Sequence, residues 1–391
     1  MDPYRVAPTA KSARPPSTRP FTSSARASAA GGSSAVPHLS VHIAASSSGK
    51  GRKFQAEKNT FDYDRDKDGR EGAGLGVQKG GTLREKRMGR PDSGQDAYFV
   101  SKVGEEGKET SFAIADGVGG WTEHGLDPAD FSHGLCGHMG NVSRGWDGGR
   151  GRFGPRELLR LGYEATISDE EIVGGGTTAC VGVVDGEGRL RMANLGDSGF
   201  LLLRLGTVQN YSSPQTHAFN TPFQMSLTPE AIAKQASMFG GMPLSDQPEK
   251  ADVSEHELRN GDVLVLATDG VWDNLDAQDV LKIVSKIMRE SGAWKLDQSE
   301  GYQVAEKIRE LVKKEQTEKY QVQRTLQAVL AAGIVREAKT ASMNERRDGP
   351  FAKAVHKEYP MEQWHGGKVD DIAVLVVLAV GGGQGRVKAK L

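Results

Sequence analysis

The chain has 391 residues, 26% of them charged, and a formal net charge of −1. That balance excludes a global basic field for nucleic acid, and only two cysteines, Cys136 and Cys180, exclude a disulfide framework or a multi-thiolate zinc site. Apolar runs reach about ten residues, half of the roughly twenty a spanning helix needs, so no transmembrane segment is expected. The length suits one large domain or two small ones.

Charge is unevenly spread. Between Pro3 and Ala56 there is no Asp or Glu, while Arg5, Lys11, Arg14, Arg19, Arg26, Lys50, Arg52 and Lys53 are basic. Residues 1–36 are rich in Ser, Ala, Arg and Pro, the composition of a mitochondrial transit peptide. Within them, Arg19-Pro20-Phe21-Thr22-Ser23-Ser24 has the arginine, aromatic and serine spacing found around matrix-protease cleavage sites. The expectation is a disordered leader over 1–36, a folded domain over 37–380 and a disordered, basic, glycine-rich tail over 381–391. The first strand is expected at Leu39-Ser40-Val41-His42-Ile43, which alternates apolar and polar.

Residues 59–91 are polar, glycine-rich and without periodicity, and read as a long loop. Asp64, Asp66 and Asp68 imitate an EF-hand start, but the twelfth position is Leu75 where a bidentate Glu is required. Residues 93–100 lead into a strand, and 101–110 read as a hairpin loop. Helices are expected over 128–139 and 155–167, each with Pro near its first turn. Between them, 143–154 is rich in Gly and Arg and reads as a loop. Strands follow over 177–184, 189–195, 200–205 and 217–225, then a loop over 240–248. Close-spaced strands with Gly and Asp turns argue an antiparallel sheet. Apolar stripes at helical spacing predict helices over 276–290, 302–314 and 323–339. A polar stretch, 346–368, precedes the final strand.

Three apolar runs carry carboxylates at their ends. Phe112-Ala-Ile-Ala-Asp116-Gly117-Val-Gly119-Gly120-Trp121 delivers Asp116 into a glycine-rich turn. Val263-Leu-Val-Leu-Ala-Thr-Asp269-Gly270 repeats the device, with Asp273 close behind, and Asp370-Asp371 head Ile-Ala-Val-Leu-Val-Val-Leu-Ala-Val. With Asp96, Gly117 and Asp197 these make one candidate acidic site. No His or Cys falls inside the motifs, and an all-oxygen donor set selects Mg2+ or Mn2+ over zinc. Carboxylates so crowded repel one another unless a cation intervenes.

The run Gly94-Gln95-Asp96, Asp116-Gly117-Val118-Gly119-Gly120, Gly176-Thr177-Thr178, Gly196-Asp197-Ser198, Asp269-Gly270-Val271-Trp272-Asp273 and Asp370-Asp371-Ile372 resembles the metal-dependent protein phosphatases of the PP2C type. The resemblance covers roughly residues 39–380. Asp116 through Trp121, Asn220-Thr221-Pro222-Phe223-Gln224 and Asp348-Gly349-Pro350-Phe351-Ala352-Lys353 look like the mitochondrial, PTC7-like branch. It implies an α+β fold, a four-layer αββα sandwich of two antiparallel sheets with helices on both outer faces. It also implies that Asp116 bridges two Mn2+ or Mg2+ ions, with the Gly117 carbonyl on one and Asp269 and Asp370 on the other. Asp197 and Asp273, with Asp269, would hold a third ion. Asp96, Gln95 and Asp371 would stand behind the ligands, and Arg90 and Arg87 are the candidates for binding phosphate.

The implied reaction is hydrolysis of phosphoserine and phosphothreonine by a monomer in the mitochondrial matrix, with phosphoproteins as partners and no covalent enzyme intermediate. The sequence departs from the family pattern at Gln95, where many members carry an acid, at Val118, where some carry a histidine, and at Gly199, where an arginine is common. Two rival readings are a catalytically weak module that binds phosphoproteins and a hydrolase of small phosphate esters.

Overall fold

The computed structural model describes residues 38–382, apart from 72–73, 78–79, 149–152, 239, 242, 298, 300 and 314–323. The leader expected over 1–36 lies outside the described residues, as does the tail expected over 381–391 from residue 383 onward; its first residue, Gly381, instead pairs with Leu39 as the end of a strand. The described chain opens with β1 (Leu39–Ser48). Residues 59–91, expected as a loop, instead follow α1 (Ala56–Asn59) with β2 (Thr60–Asp62), α2 (Arg65–Glu71) and α3 (Leu83–Met88). These elements are too short and polar to show apolar periodicity. α3 rests on a capping box in which Thr82 and Glu85 exchange hydrogen bonds. The acidic run starts a helix and not a calcium loop. Asp64 accepts the amides of Asp66 and Lys67, and buried Asp68 accepts the Tyr63 hydroxyl at 3.0 Å and the Lys102 amide at 3.1 Å.

β3 (Asp96–Val103) and β4 (Glu109–Asp116) form the expected hairpin. α4 (Pro128–Arg144) and α5 (Pro155–Ile167) follow, both opened by proline. Then come β5 (Gly175–Thr177), β6 (Ala179–Asp185), β7 (Arg189–Leu195), β8 (Gly199–Arg204) and β9 (Thr207–Tyr211). The 217–225 stretch is not one strand. It doubles back as β10 (Thr216–Ala218) and β11 (Thr221–Pro222) around Asn220, whose φ of 51° is the left-handed conformation asparagine tolerates. β12 (Met225–Leu227), α6 (Glu230–Met238), β13 (Asp252–Glu257), β14 (Val263–Ala267), α7 (Asp269–Trp272) and α8 (Ala277–Glu290) come next. The helix expected over 302–314 shrinks to α9 (Ile308–Leu311), because Gly301, at φ 75°, closes a hairpin of β15 (Trp294–Asp297) and β16 (Gly301–Val304). α10 (Leu326–Ser342) matches its stripe. The polar 346–368 stretch contains α11 (Pro350–Glu358), and β17 (Ile372–Gly381) ends the fold.

The six-stranded sheet has the order β2-β1-β17-β14-β8-β9 and the five-stranded one β13-β7-β6-β4-β3, every pairing antiparallel. β17 explains the layering. Its Ala373, Leu375, Val377 and Ala379 pack with Tyr98, Phe112 and Ile114 of the other sheet. Its Val374, Val376 and Leu378 face Val280, Val284 and Leu330 of α8 and α10. Phe131, Leu135 and Leu158 of α4 and α5 cover the far side of the five-stranded sheet. The result is the expected four-layer sandwich, and a strand covered on both faces reads as the continuous apolar run seen in the sequence. Among the described residues no helix is long and apolar enough to cross a membrane.

Phe112 fills the seam between the sheets because β6 offers Gly182 opposite it. A methyl there would lie 2.2 Å from the ring. Gly182→Ala is expected to cost about 1–3 kcal/mol by overpacking, and Phe112→Ala about 3–5 kcal/mol by leaving a cavity. The double variant should cost less than the sum, since the cavity accepts the methyl. Urea unfolding of the four proteins measures this; strict additivity would mean that the two positions do not meet.

Candidate metal centre

Carboxylates from both sheets converge at one end of the sandwich. Asp96 stands opposite Asp116 at the open end of the β3–β4 hairpin. The Asp116 carbonyl accepts the Thr178 amide at 2.9 Å and the Thr177 hydroxyl at 2.7 Å, which fixes the end of β4 against β5 and β6. Gly117 donates its amide to the Gln95 carbonyl at 3.1 Å, and a Cβ on it would lie 2.9 Å from that oxygen and from the Pro128 carbonyl. Asp197 occupies the turn between β7 and β8. Asp269 opens α7 directly after β14, and Asp273 lies one turn on. Asp370 and Asp371 lead into β17.

These groups divide into two kinds. Asp96 and Asp371 are buried, at 1% and 9% exposure, and hold the frame. Asp96 accepts the Thr268 hydroxyl at 2.8 Å, and that same hydroxyl accepts the Ala373 amide at 3.0 Å, so one bond chain ties β3 to β14 and β17 across the seam. Asp371 accepts the Gln95 amide at 2.9 Å and the Lys50 amide. Gly94, at φ 67°, and Gly270 press on it so closely that a Cβ on either would come within 1.9 Å of the Asp371 carboxylate or carbonyl. Asp116, Asp197, Asp269, Asp273 and Asp370 are only half-buried and face the opening.

Lys368, which the sequence reading missed, stands among the second kind. Its Nζ lies 2.8 Å from Asp269, 2.6 Å from Asp273 and 3.3 Å from Asp370. The position is built. Buried Asn274 accepts the Lys368 amide and donates to its carbonyl, both at 2.9 Å, and the Phe351 ring lies 5.0 Å from the ammonium. The only trace in the sequence is a lysine two residues before Asp370. Lys50 also reaches Asp370, at 3.3 Å, but is exposed and correspondingly weak.

Burial first, and then the fields of Asp269, Asp96, Asp197 and Asp370, push the Asp116 carboxyl well above the usual range. Burial and Asp269 push Asp197 and Asp273 up to about 7. Burial opposes the charge on Lys368, but Asp269, Asp273 and Asp370 outweigh it and hold the ammonium charged. Buried oxygens of Asp96 and Asp197 have no hydrogen-bond partner among the described residues. Oxygen-only donors with unmet negative charge fit Mn2+ or Mg2+.

Arg87 and Arg90 do not join the cluster through any hydrogen bond or ion pair among the described residues. Arg87 forks onto Asp130 at 3.0 and 2.5 Å, and Arg90 binds Asp127 at 3.1 Å and also Asp130.

The sequence matches the family described as protein phosphatase 2C over residues 156–313. It is 33% identical over 285 residues to the Drosophila grimshawi protein phosphatase PTC7 homolog fig, covering 72% of this chain and 78% of that one. A Saccharomyces cerevisiae protein named protein phosphatase 2C homolog 7, mitochondrial, is 37% identical over 196 residues, 49% of this chain and 56% of its own. The chain spans 62% of the length of the zebrafish PTC7 homolog it matches and 60% of the human one. Among solved structures, the photosystem II phosphatase PBCP aligns with a TM-score of 0.52 at 24% identity over 75% of this chain and 94% of that chain, a likeness of fold.

The raised carboxyls make metal binding compete with protons. Asp197 and Asp273 titrate at about 7 when folded against about 3.9 in an unfolded chain. Each therefore lends stability that is whole below about pH 4 and is lost as pH climbs through about 7. His42 and His133, which burial pulls down to about 4 and about 3, act with the opposite sign below about pH 6.5. Comparing Mn2+-loaded with chelated protein at each pH cancels the histidines. The Tm gain from Mn2+ is expected to grow steadily from about pH 5.5 to about pH 8 as protons leave the cluster. A gain independent of pH would take these carboxylates out of the metal site.

Proposed function

The chain belongs to the PTC7-like branch of the PP2C-type protein phosphatases, and on that premise we propose that it hydrolyses phosphoserine and phosphothreonine in proteins with Mn2+ or Mg2+. The observation that carries the proposal is the set of five half-buried carboxylates at one end of the sandwich, three of which, Asp269, Asp273 and Asp370, lie against the Lys368 ammonium. Asp116, Asp269 and Asp370, with the Gly117 carbonyl, would hold two ions, and Asp197 and Asp273, with Asp269, a third. Bound there, the ions would supply Lewis acidity, acidifying a water and offsetting charge on the phosphoryl oxygens.

The chain's own residues prepare that site. Thr177 and Thr178 hold the Asp116 backbone, so its carboxylate does not wander with the flanking turn. Asp371 and Asp96 keep the ends of β3, β14 and β17 together. Arg90 and Arg87 are the proposed phosphate contacts, and a phosphate would have to compete with Asp127 and Asp130 for them. Val118 donates its amide to the Gly176 carbonyl at 2.9 Å and its side chain has no ionisable proton to give, so the leaving oxygen would take one from solvent or another residue. Address and substrates follow the same reading. The composition of residues 1–36 and the mitochondrial name of the yeast relative support a mitochondrial address, and the reading is completed by a monomer acting on phosphoproteins of the matrix.

The test is release of phosphate from phosphoserine and phosphothreonine peptides. Wild type should turn over with Mn2+ and be silent in EDTA. Asp116→Ala and Asp269→Ala should each lose at least about a hundredfold in rate while keeping the fold, as expected when charge stabilisation at the reacting centre is removed. Retention of a tenth or more of the rate by either variant would defeat the assignment.

One observation favours the weaker-catalyst reading, in which the chain mainly binds phosphoproteins. Lys368 stands where a cation would be drawn, and it must yield to a metal held by Asp269 and Asp273. Lys368→Met should therefore lower the Tm of chelated protein, by leaving the carboxylates unpaired, and tighten Mn2+ binding measured by calorimetry. Unchanged Mn2+ affinity would show that the lysine and the ion do not compete, and the weaker-catalyst reading would lose its support.

A further inference from the structure

Beyond the acidic mouth, the 346–368 segment brings together a second set of donors of different chemistry. Asp348 immediately precedes α11, His356 lies in its last turn, and His365 follows in the return toward Lys368. One ligand atom from each lies within 4.8 Å of the others. The two imidazole rings are 5.1 Å apart, and His365 Nδ1 sits 3.2 Å from the Asp348 carboxylate.

The surroundings orient these groups as ligands. The Trp364 carbonyl can only accept, so the 2.6 Å bond from His356 Nε2 places the proton on that nitrogen and leaves the lone pair of the neutral ring on Nδ1. Metal-binding histidines are commonly fixed in this way, with the other ring N–H given to a backbone carbonyl. The Gly366 amide donates to Asp348 Oδ1 at 2.9 Å, leaving the second oxygen and its lone pairs toward His365. Gly366 and His365 also hold the Asp348 carboxyl below the usual range.

We propose that Asp348, His356 and His365 form a second metal site, separate from the acidic centre, that takes a borderline divalent ion such as Zn2+ in preference to Mg2+ or Mn2+. Two imidazoles and one carboxylate suit that class of ion, while an oxygen-only cluster suits the hard ones. Bonds of about 2.0–2.1 Å in a tetrahedral site bring ligand atoms to roughly 3.3 Å of one another. Rotation of the exposed His365 side chain closes the gap, and the ion replaces the proton shared between His365 and Asp348. Such an ion pins α11 to the strand-ward return that ends at Lys368.

The experiment uses the full chain saturated with Mg2+ and titrated with Zn2+, read by calorimetry and by X-ray absorption at the zinc edge. The acidic cluster contains no histidine, so imidazole scattering separates the two sites. Wild type should bind one Zn2+ with imidazole ligation that Mg2+ does not displace. His365→Ala should weaken it by at least about tenfold. The double variant His356→Ala/His365→Ala should lose both that equivalent and its imidazole scattering, with Tm in chelator close to that of wild type because both rings are near the surface. Zinc in wild type bound by oxygen alone, or imidazole ligation that persists in the double variant, overturns the proposal. Asp116→Ala should leave this zinc in place, so the outcome is independent of the phosphatase reading.

Discussion

The architecture turns on two buried carboxyls, Asp96 and Asp371. Asp96 reaches across the seam to Thr268, and Asp371 gathers the amides of Lys50 and Gln95 between two glycines. Through them the exits of β1 and β14 and the entries of β3 and β17 share one small hydrogen-bonded block. A carboxyl kept that far from water is costly unless it is hydrogen-bonded; the Lys50 and Gln95 amides bond both oxygens of Asp371, while Asp96 has Thr268 on one oxygen and no partner among the described residues on the other. Asp269 and Asp370 each stand one residue from a member of this block, and Asp116 lies opposite Asp96 on the paired strand.

That block is what makes the crowding outside it possible. Two carboxylates about 5 Å apart at an effective dielectric near 20 repel by roughly 3 kcal/mol, and five stand together here. Left to itself such a group would splay or protonate. Lys368 offsets part of the charge, and the frame prevents the strand ends from moving to relieve the rest. The frame thus keeps these acids crowded at one end of the molecule at a cost in stability.

Much of this was legible in the sequence, for reasons tied to particular residues. Asp116, Asp269 and Asp370 showed themselves because each ends or heads a long apolar run beside a glycine or a second acid. α8 and α10 were legible because their stripes run for several turns. Short elements were not: β10 and β11 reverse within a few residues at Asn220, and the 302–314 stripe joins Val304, at the end of a hairpin strand, to Ile308 and Leu311 of a one-turn helix at what happens to be helical spacing. Lys368 was invisible because its meaning depends on Asn274, 94 positions earlier, and on Phe351 beneath it. A local reading sees a lysine at the end of a polar stretch. The arginines near residue 90 show the converse, since a basic residue close to a motif says nothing about which acid it will find.

The pairing of β1 with β17 over ten consecutive residues has a consequence for biosynthesis. β17 lies in the interior of its sheet, with β1 on one side and β14 on the other, and among the described strands it comes last in the chain. Until it arrives, β1 and β14 each present an unpaired apolar edge, the kind of surface that recruits strands from neighbouring chains. Closure across more than three hundred residues is slow, because ordering entropy is spent before the long-range contacts form. A chain that stops short of Ile372 leaves both edges open, and pairing of the ten-residue β17 closes the two at once.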